Sequence, residues 1–500
     1  MLLKEIISQI GGVELRGDPN VQIRGISYDS RAVESGSLFV AMKGEKANGM
    51  SYLAEAVRRG AAAVASQENP PEIAKIPALK VPDARRFLAE AALIFFQDPA
   101  SELELVAITG TNGKTTTSYL LDSIFRQAGL KACLAGTIAM KIGDRAFPAS
   151  HTTPEAPELM SFLRQAVTEG CTHGALEVSS HSLALKRVYG AGFAVGVFTN
   201  LTPEHLDFHR DMESYYRAKR LLFTPEGANQ LKWAVINTDD PFGLRLASEV
   251  SIPVARYGFA AEAEIHVLSQ EGRADGTRLR IATPKGELQL RSRLVGRPNI
   301  YNMMASAGAA LSLGIDLETI RKGVETLSGV PGRMELIEAG QPFTVIVDFA
   351  HTPDALENLL QTVRPFSDGS LITVFGCGGD RDRTKRPVMG EIAGRMSAFV
   401  VATSDNPRSE DPVAILTEIE PGLKRTSARY RLIPDRREAI ESALSLAKPG
   451  DLVVIAGKGH EDSQIIGTEN YPFDDRSVTR ELILRRGDAM RTKDRSELHQ

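Results

Sequence analysis

The sequence predicts an α/β protein of three domains, with a doubly wound central sheet built around a glycine-rich loop and a Rossmann-like C-terminal domain. Three observations carry that expectation. The chain has 500 residues, too many for one ordinary core and enough for about three units of roughly 150 residues each. Short apolar runs alternate with helical stretches along most of it, the pattern of strands covered by helices on both faces. One such run leads straight into a glycine-rich turn and then a helix. The units are expected at 1–100, 101–329 and 330–500.

In the first unit Leu2, Leu3, Ile6, Ile7 and Ile10 have helical spacing, ended by Gly11 and Gly12. Charge within the run separates it from the continuous apolar core of a signal peptide. Val21-Gln22-Ile23 and Ser37-Leu38-Phe39-Val40-Ala41 are apolar runs between glycine-bearing turns, and the alanine-rich stretch 53–64 is expected to be helical. The second unit opens on the apolar strand 103–108, with a helix over about 115–128 and further strands at 174–178, 194–199 and 233–237. Around Gly329-Val330-Pro331-Gly332 the third unit begins, with strands at 343–349, 371–375, 399–403 and 452–456.

Apolar residues at 42% and charged residues at 24% match soluble globular proteins and argue against a disordered or fibrous chain. A net charge of -4 offers no cationic excess to a nucleic acid, so no such partner is expected. No apolar run reaches the roughly 18 residues of a membrane span. Cys133, Cys171 and Cys377 are odd in number and in no metal-binding spacing, which fits a reducing cytoplasm. A monomer is the default expectation.

Gly110-Thr111-Asn112-Gly113-Lys114-Thr115-Thr116 lies where a strand turns into a helix, the setting in which backbone N–H groups and the helix dipole cradle phosphates. Lys114 would neutralise terminal phosphates and Thr115 would offer its hydroxyl to magnesium. Ile108 stands where the commonest form of the motif has its first glycine, leaving G-x-x-G-K-T. The bland alternative is a glycine-rich turn with an exposed lysine, and the strand–turn–helix order speaks against it. The central unit is therefore expected to be a P-loop sheet that binds ATP. Such a loop alone does not separate a ligase from a motor, a GTPase or a kinase.

Other segments decide. Ala107 to Thr117, His151-Thr152-Thr153-Pro154, Glu177-Val178-Ser179-Ser180-His181, Asn200-Leu201-Thr202-Pro203-Glu204-His205-Leu206-Asp207, Gly296-Arg297-Pro298-Asn299-Ile300-Tyr301-Asn302, Gly332-Arg333-Met334-Glu335 and Asp348-Phe349-Ala350-His351-Thr352-Pro353 follow one another along the chain. In this order and over nearly the whole chain they resemble the Mur ligases, the peptide synthetases of peptidoglycan assembly, with folylpolyglutamate synthetase as a cousin. The resemblance implies an ATP-dependent acid–amino-acid ligase. In it the γ-carboxylate of D-glutamate in UDP-N-acetylmuramoyl-L-alanyl-D-glutamate takes the γ-phosphoryl group of ATP, and an amine displaces phosphate from the acyl phosphate.

Residue by residue, the resemblance implies that Gly110, Thr111, Asn112, Gly113, Lys114, Thr115, Thr116, Asn299, Asn302, Arg333, Asp348 and His351 hold ATP. It makes Lys114, Glu177, His205 and Lys219 catalytic, with Thr115, Glu177, His205 and a carbamylated Lys219 holding magnesium. Glu177 at a strand end and His205 in a polar loop are donors suited to that ion, although alone each would be read as a surface or capping residue. Lys219 shares helical spacing with Tyr215, Tyr216, Leu222 and Phe223 and alone would be an ordinary snorkelling lysine. An ammonium is repelled by magnesium, whereas its carbamate is an anion able to bind it. Ser30, Thr152, Thr153, Ser179 and Arg187 match positions that hold the UDP and peptide parts of the precursor. Leu185 stands where the family often has a polar residue, which weakens a contact there.

The incoming amino acid is read from Asp405-Asn406-Pro407-Arg408, after the apolar run 399–402. As an isolated tetrapeptide it is a turn with a solvent-facing arginine. In this place it resembles the family's motif for meso-diaminopimelate. That amino acid differs from lysine by one distal carboxylate, which a guanidinium holds bidentately. Asp405 and Asn406 would serve the distal ammonium and backbone, and Arg381, Gly457 and Glu461 match the remaining contacts. The alternatives are the lysine-adding member of the family, folylpolyglutamate synthetase, and a nucleotide-hydrolysing switch or assembly ATPase.

Overall fold

The structure, a computed structural model, describes residues 1–44, 48–69, 76–149, 151–273, 276–367 and 369–497, with no side-chain description of 273 and 487–497. Its contacts group into two compact units, one made of 1–201, 211–266 and 304–323, the other of 202–210, 267–303 and 324–500.

The first unit holds two sheets. The smaller has the order Glu14–Arg16, Ala78–Lys80, Ala63–Ser66, Ser37–Ala41, Gly25–Ser27, all parallel except the first. Here the expected helix over 53–64 is corrected: the helix is Leu53–Arg58 and Ala63–Ser66 is a strand. Gly60 at φ +102° breaks the helix, because an L side chain is strained there. Ala63 and Ala65 pack on one side of the sheet and Val64 on the other, all buried. Alanine's helix propensity is a weak prior that burial on both faces overrides. The apolar run 21–23 is likewise no strand; the strand lies at Gly25–Ser27, and Gln22 makes only a bridge to Leu2.

In the larger sheet Glu104–Thr109 lies between His173–Glu177 and Gly192–Phe198, parallel to both. Gln230–Asn237 and Val254–Gly258 extend the sheet beyond Gly192–Phe198, and Ala132–Ala135 lies beyond His173–Glu177. Buried apolar residues such as Leu105, Ala107, Leu176 and Phe198 form its core. From Glu104–Thr109 the helix Lys114–Gln127 leads to one side of the sheet, whereas the strands after residue 191 build the other. Residues 110–113 therefore lie at a topological switch point, where open α/β sheets leave a crevice for ligands.

The second unit is centred on a six-stranded sheet, ordered Glu335–Leu336, Thr344–Asp348, Leu452–Ala456, Leu371–Cys377, Phe399–Ser404, Arg429–Leu432 and parallel except for the first pair. Leu356, Met389 and Ile415 from three helices pack one face, and Ile440 and Ile483 from two others pack the opposite one. Leu371–Cys377 separates Leu452–Ala456 from Phe399–Ser404, so the loops after these three strands open at another switch point. One quoted motif, and the segment just after another, also hold folding signals. The Thr352 hydroxyl caps helix Pro353–Val363 through the N–H of Ala355, and the Asp411 carboxylate caps Pro412–Leu423 through that of Val413. Each cap is worth about 1 kcal/mol. Among the described residues no helix is long and apolar enough to cross a membrane.

Candidate active site

In the first unit the glycine-rich loop is held open by its neighbour after strand Gly192–Phe198. The N–H of Thr111 donates to the Asn200 carbonyl and that of Asn112 to the Asn200 side-chain oxygen, both at 2.9 Å. The Thr199 hydroxyl donates to the Asn112 carbonyl at 2.6 Å. Gly110 sits at φ +148°, and a Cβ there would lie 1.8 Å from the Thr199 Oγ1. No other residue fits. Lys114, first in the helix, reaches back to the Gly110 and Thr111 carbonyls at 2.8 Å each, so its charge lies over the loop. Lys219, buried on helix Met212–Arg220, also reaches the Gly110 carbonyl at 2.8 Å and lies over the Tyr215 ring. The hydroxyls of Tyr215 and Thr111 are 3.1 Å apart.

Glu177, buried at the end of its strand, collects the hydroxyl groups around this loop. Its Oε2 accepts from Thr115 Oγ1 at 3.0 Å and Thr137 Oγ1 at 2.9 Å, and its Oε1 from the N–H of Thr137 at 3.0 Å. Gly136 permits the approach, since a Cβ there would fall 2.2 Å from Oε1. Thr137 is 3.1 Å from the Thr152 hydroxyl. Thr153 donates to the Glu177 carbonyl at 2.8 Å and accepts from the N–H of Ser179. Arg187 bonds the Thr153 carbonyl at 2.9 Å and Glu155 at 2.8 Å. Ser30 lies on the smaller sheet's side of the unit, with its hydroxyl on Glu55 at 3.0 Å. Thr115, Thr137 and Glu177 form an oxygen-only donor set, which fits a hard cation such as magnesium.

In the second unit Asp348 ends its strand and accepts from the N–H groups of Met334 at 2.7 Å and Ala350 at 2.8 Å. Burial raises its pKa against the opposing pull of Arg333 and these two bonds. Arg333 lies 4.6 Å over the Phe349 ring, which also packs on His351 and His460. Glu204 has His205 and His351 on either side, each at 3.7 Å. Asn302 donates to the Asn299 side chain at 3.1 Å, and Asn299 to the Val295 carbonyl, so both buried amides brace the start of helix Arg297–Ser312.

Burial, reinforced by Arg333 and Arg476, lowers the His460 pKa from 6.5 to about 4. The unfolded chain therefore binds the proton more readily between these values. Stability is lost as pH falls from 6.5 towards 4 and regained on raising it. We expect His460→Gln to shrink the loss of stability between pH 6.5 and pH 4 by about 2–3 kcal/mol, measured as urea midpoints at the two ends of the window. An unchanged slope would remove His460 from the titration.

The loops after Leu371–Cys377, Phe399–Ser404 and Leu452–Ala456 bring Arg381, Arg408, Asp405, Asn406, Gly457 and Glu461 into one neighbourhood. Arg408 takes a left-handed backbone, φ +53°, and its Nη1 donates to the Gly379 carbonyl at 2.8 Å. Burial, and next the charge of Arg381, holds its pKa below the usual value. A Cβ on Gly378 would lie 3.0 Å from Arg408 Nη1 and 3.8 Å from Arg381 Cγ. Both arginines thus lie close to one glycine, and the charge of Arg381 acts on Arg408. The Asn406 amide donates to Glu461 at 2.9 Å and its oxygen accepts from Lys458 at 3.0 Å and from the N–H of Ile465 at 3.0 Å. Lys458, fully buried, is 2.8 Å from Glu461. Asp405 faces Gly457, where a Cβ would lie 2.6 Å from its carboxylate.

Residues 22–96 match the Mur ligase family catalytic domain, residues 108–310 the Mur ligase middle domain and residues 332–459 the Mur ligase glutamate ligase domain. A UDP-N-acetylmuramoyl-L-alanyl-D-glutamate–2,6-diaminopimelate ligase of Geobacter metallireducens is 45% identical over 496 residues, covering 95% of this chain and 97% of its own. One from Gloeobacter violaceus is 46% identical over 488 residues, covering 97% and 99%. The chain belongs to the Mur ligase family. A solved structure of a ligase with the same name superposes with a TM-score of 0.69 at 34% identity, covering 98% of this chain and 99% of that one. Like the other members of the family, this Mur ligase is an ATP-dependent enzyme that forms amide bonds.

Its candidate residues fall into three groups. Gly110, Thr111, Asn112, Gly113, Lys114, Thr115, Thr116, Thr152, Thr153, Glu177, Ser179, Arg187 and Lys219 belong to the first unit, where bonds link the loop to Lys219 and Glu177 to the threonines. His205, Asn299, Asn302, Arg333, Asp348 and His351 belong to the second unit. So do Arg381, Asp405, Asn406, Pro407, Arg408, Gly457 and Glu461. Several partners were missed. Thr137 follows a strand and a glycine, a signal that was available in the sequence, and Lys458 stands between the named Gly457 and Glu461. Arg436, whose buried guanidinium bonds Asp475 and the Ser404 and Ala456 carbonyls, had no local signal.

Proposed function

We propose that this Mur ligase adds meso-diaminopimelate to the D-glutamate of UDP-N-acetylmuramoyl-L-alanyl-D-glutamate in peptidoglycan precursor synthesis. The observation that carries the reading is the pair Arg381 and Arg408 close to Gly378, a cationic cleft suited to the distal carboxylate that lysine lacks. Glu461, braced by Lys458 and Asn406, supplies the carboxylate for the neighbouring ammonium. The names of relatives above 40% identity over most of the chain support the same substrates. The lysine-adding alternative leaves the half-buried Arg408 without a distal carboxylate, with Asp405, Glu461 and Asp380 as the neighbouring negative charges.

The chemistry follows from charge placement. An oxygen of the D-glutamate γ-carboxylate attacks the γ-phosphorus of ATP, the bond to the β-phosphate oxygen breaks, and ADP leaves. The amine then attacks the acyl carbon, the C–O bond to phosphate breaks, and the amine proton passes to solvent as phosphate departs. The N–H groups at the start of helix Lys114–Gln127, with the Lys114 ammonium, stabilise the transferring phosphoryl oxygens, while those of Thr111 and Asn112 are held by Asn200. Thr115, Glu177 and Lys219 as its carbamate would hold magnesium, which neutralises phosphate charge. A carbamate keeps one N–H for the Gly110 carbonyl and adds two oxygens. Ser30, Thr152, Thr153, Ser179 and Arg187 would hold the precursor. On this reading the enzyme works in the cytoplasm as a monomer.

Phosphate release measured across candidate amines tests the reading. Release is expected only with ATP, the UDP-linked dipeptide and meso-diaminopimelate together. Equal release without an amine would instead support a nucleotide-hydrolysing switch, and equal use of lysine the lysine-adding alternative.

A further inference from the structure

Arg381 and Arg408 sit on different loops, and the reading above requires their guanidiniums to keep one spacing. Arg408 has one isolated bridge, its N–H donating to the Ile465 carbonyl at 3.1 Å and its carbonyl accepting from the Gly467 N–H at 2.7 Å, and Arg381 lies in no strand. Both loops carry a non-glycine residue in the left-handed region, Asp380 at φ +54° and Arg408 at φ +53°, a conformation that costs free energy unless the surroundings enforce it. Besides that bridge, a set of bonds from loop to loop enforces it. Asp380 accepts from the Ser409 hydroxyl at 2.6 Å on Oδ1 and from the Ser409 N–H at 3.2 Å on Oδ2. The N–H of Asp380 donates in return to Glu410 Oε1 at 2.6 Å. Nearer the strands the N–H of Gly379 donates to the Asn406 carbonyl at 2.9 Å.

The far side of this clasp is anchored below the surface. Arg386, fully buried at the start of its helix, donates to both Glu410 oxygens at 2.8 and 2.9 Å, to Glu418 at 2.8 Å and to the Gly378 carbonyl at 3.3 Å. The Arg386 bonds hold the Glu410 pKa down at about 2, so the anchor stays charged over the whole working range of pH. Asp380 too is held below the usual carboxylate range, chiefly by the Ser409 hydroxyl. One residue on each side of the cleft, immediately adjacent to each arginine, is therefore bonded to the other.

We propose that Asp380 is a positioning residue for the amino-acid site: by clasping Ser409 it fixes the spacing of Arg381 and Arg408 and so sets the preference for an amino acid with a distal carboxylate. The inference rests on the diaminopimelate reading and deepens it. The Asp380 carboxylate bonds Ser409, while the Asp380 carbonyl accepts from Arg381 Nη1 at 3.0 Å; the side chain acts through the backbone that carries the arginines. That side chain is exposed, so its replacement leaves the core intact.

The test uses full-length enzyme with Asp380→Ala, Asp380→Asn, Ser409→Ala and the Asp380→Ala/Ser409→Ala double variant. Asp380→Ala is expected to raise KM for meso-diaminopimelate about tenfold, the effect of losing a charge-assisted bond pair. Its kcat and its KM for ATP and for the UDP-linked dipeptide should stay within about twofold, and its discrimination against lysine should fall in proportion. Asp380→Asn, which keeps an acceptor for Ser409, should recover part of the loss. The double variant should be no worse than Asp380→Ala alone, because both changes open one clasp. An unchanged KM, equal losses for all three substrates, or additive effects of the two substitutions would each overturn the inference. Wild-type enzyme that does not turn over meso-diaminopimelate would instead sink the underlying reading.

Discussion

Replacing Arg408 by alanine is expected to lower kcat/KM for meso-diaminopimelate by about 10³-fold, while KM for ATP and for the UDP-linked dipeptide changes little. The size follows from the partial burial of Arg408, whose neighbour Arg381 is exposed. Arg408 is held in the cleft beside Arg381 with its pKa depressed chiefly by desolvation, and a carboxylate bound there is desolvated as well. Losing one partner of such a pair leaves the other charge unpaired, which costs several kcal/mol, or roughly three decades in the rate constant. Arg408→Lys is expected to recover little, because a lysine cannot reproduce both the bond to the Gly379 carbonyl and a bidentate hold on the ligand. Steady-state kinetics with each substrate varied in turn decides it. Unaltered diaminopimelate kinetics would remove the arginine from the substrate's path while leaving ligase activity itself untouched.

Lys219→Ala carries the second large expectation, a fall in kcat of about 10²–10³-fold from the loss of one preorganised electrostatic group at the phosphates. Lys219→Arg distinguishes the two forms this residue can take. Arginine keeps a cation near the Gly110 carbonyl but cannot become a carbamate. If the working species is the carbamate, Lys219→Arg is as inactive as the alanine variant. Enzyme equilibrated with ¹³C-bicarbonate should then show a carbamate carbon signal that both variants lack. An active arginine variant, or a wild-type spectrum without that signal, would leave Lys219 as a plain cation over the loop.

Much of the architecture was legible because the parallel strands are buried on both faces and read as unbroken apolar runs. Glu104–Thr109, Leu371–Cys377 and Leu452–Ala456 coincide with the expected strands within two residues. The failure at 53–64 has the opposite cause: alanine fits a helix and a crowded sheet equally well, and only the left-handed Gly60 marks the change. The hairpin of Gly276–Thr283 and Gly286–Ser292 went unread although Leu279, Ile281, Leu288 and Leu290 alternate as strand residues should.

At the candidate site, the position of the glycine-rich loop between strand and helix was legible because such a turn is a local object, written in consecutive residues. Thr137, Arg386, Arg436 and Glu410 were not, since each acts on a segment brought to it by the sheet. Thr137 stands 40 positions from the Glu177 it bonds, and Arg436 lies 39 from Asp475. No spacing rule spans such distances.

The left-handed turn at Arg408 bears on how a change of amino-acid preference would have to arise in evolution or in the laboratory. An arginine installed alone in a homologous loop would inherit whatever backbone that loop already had, and its side chain would start out in the wrong direction. The heritable unit is larger than the codon for that arginine. It comprises the turn, the serine and glutamate that follow it, the aspartate facing them and the interior arginine beneath. If the proposed clasp sets the preference, a graft that carries these together is expected to transfer it, whereas one that carries the arginine alone transfers only a charge.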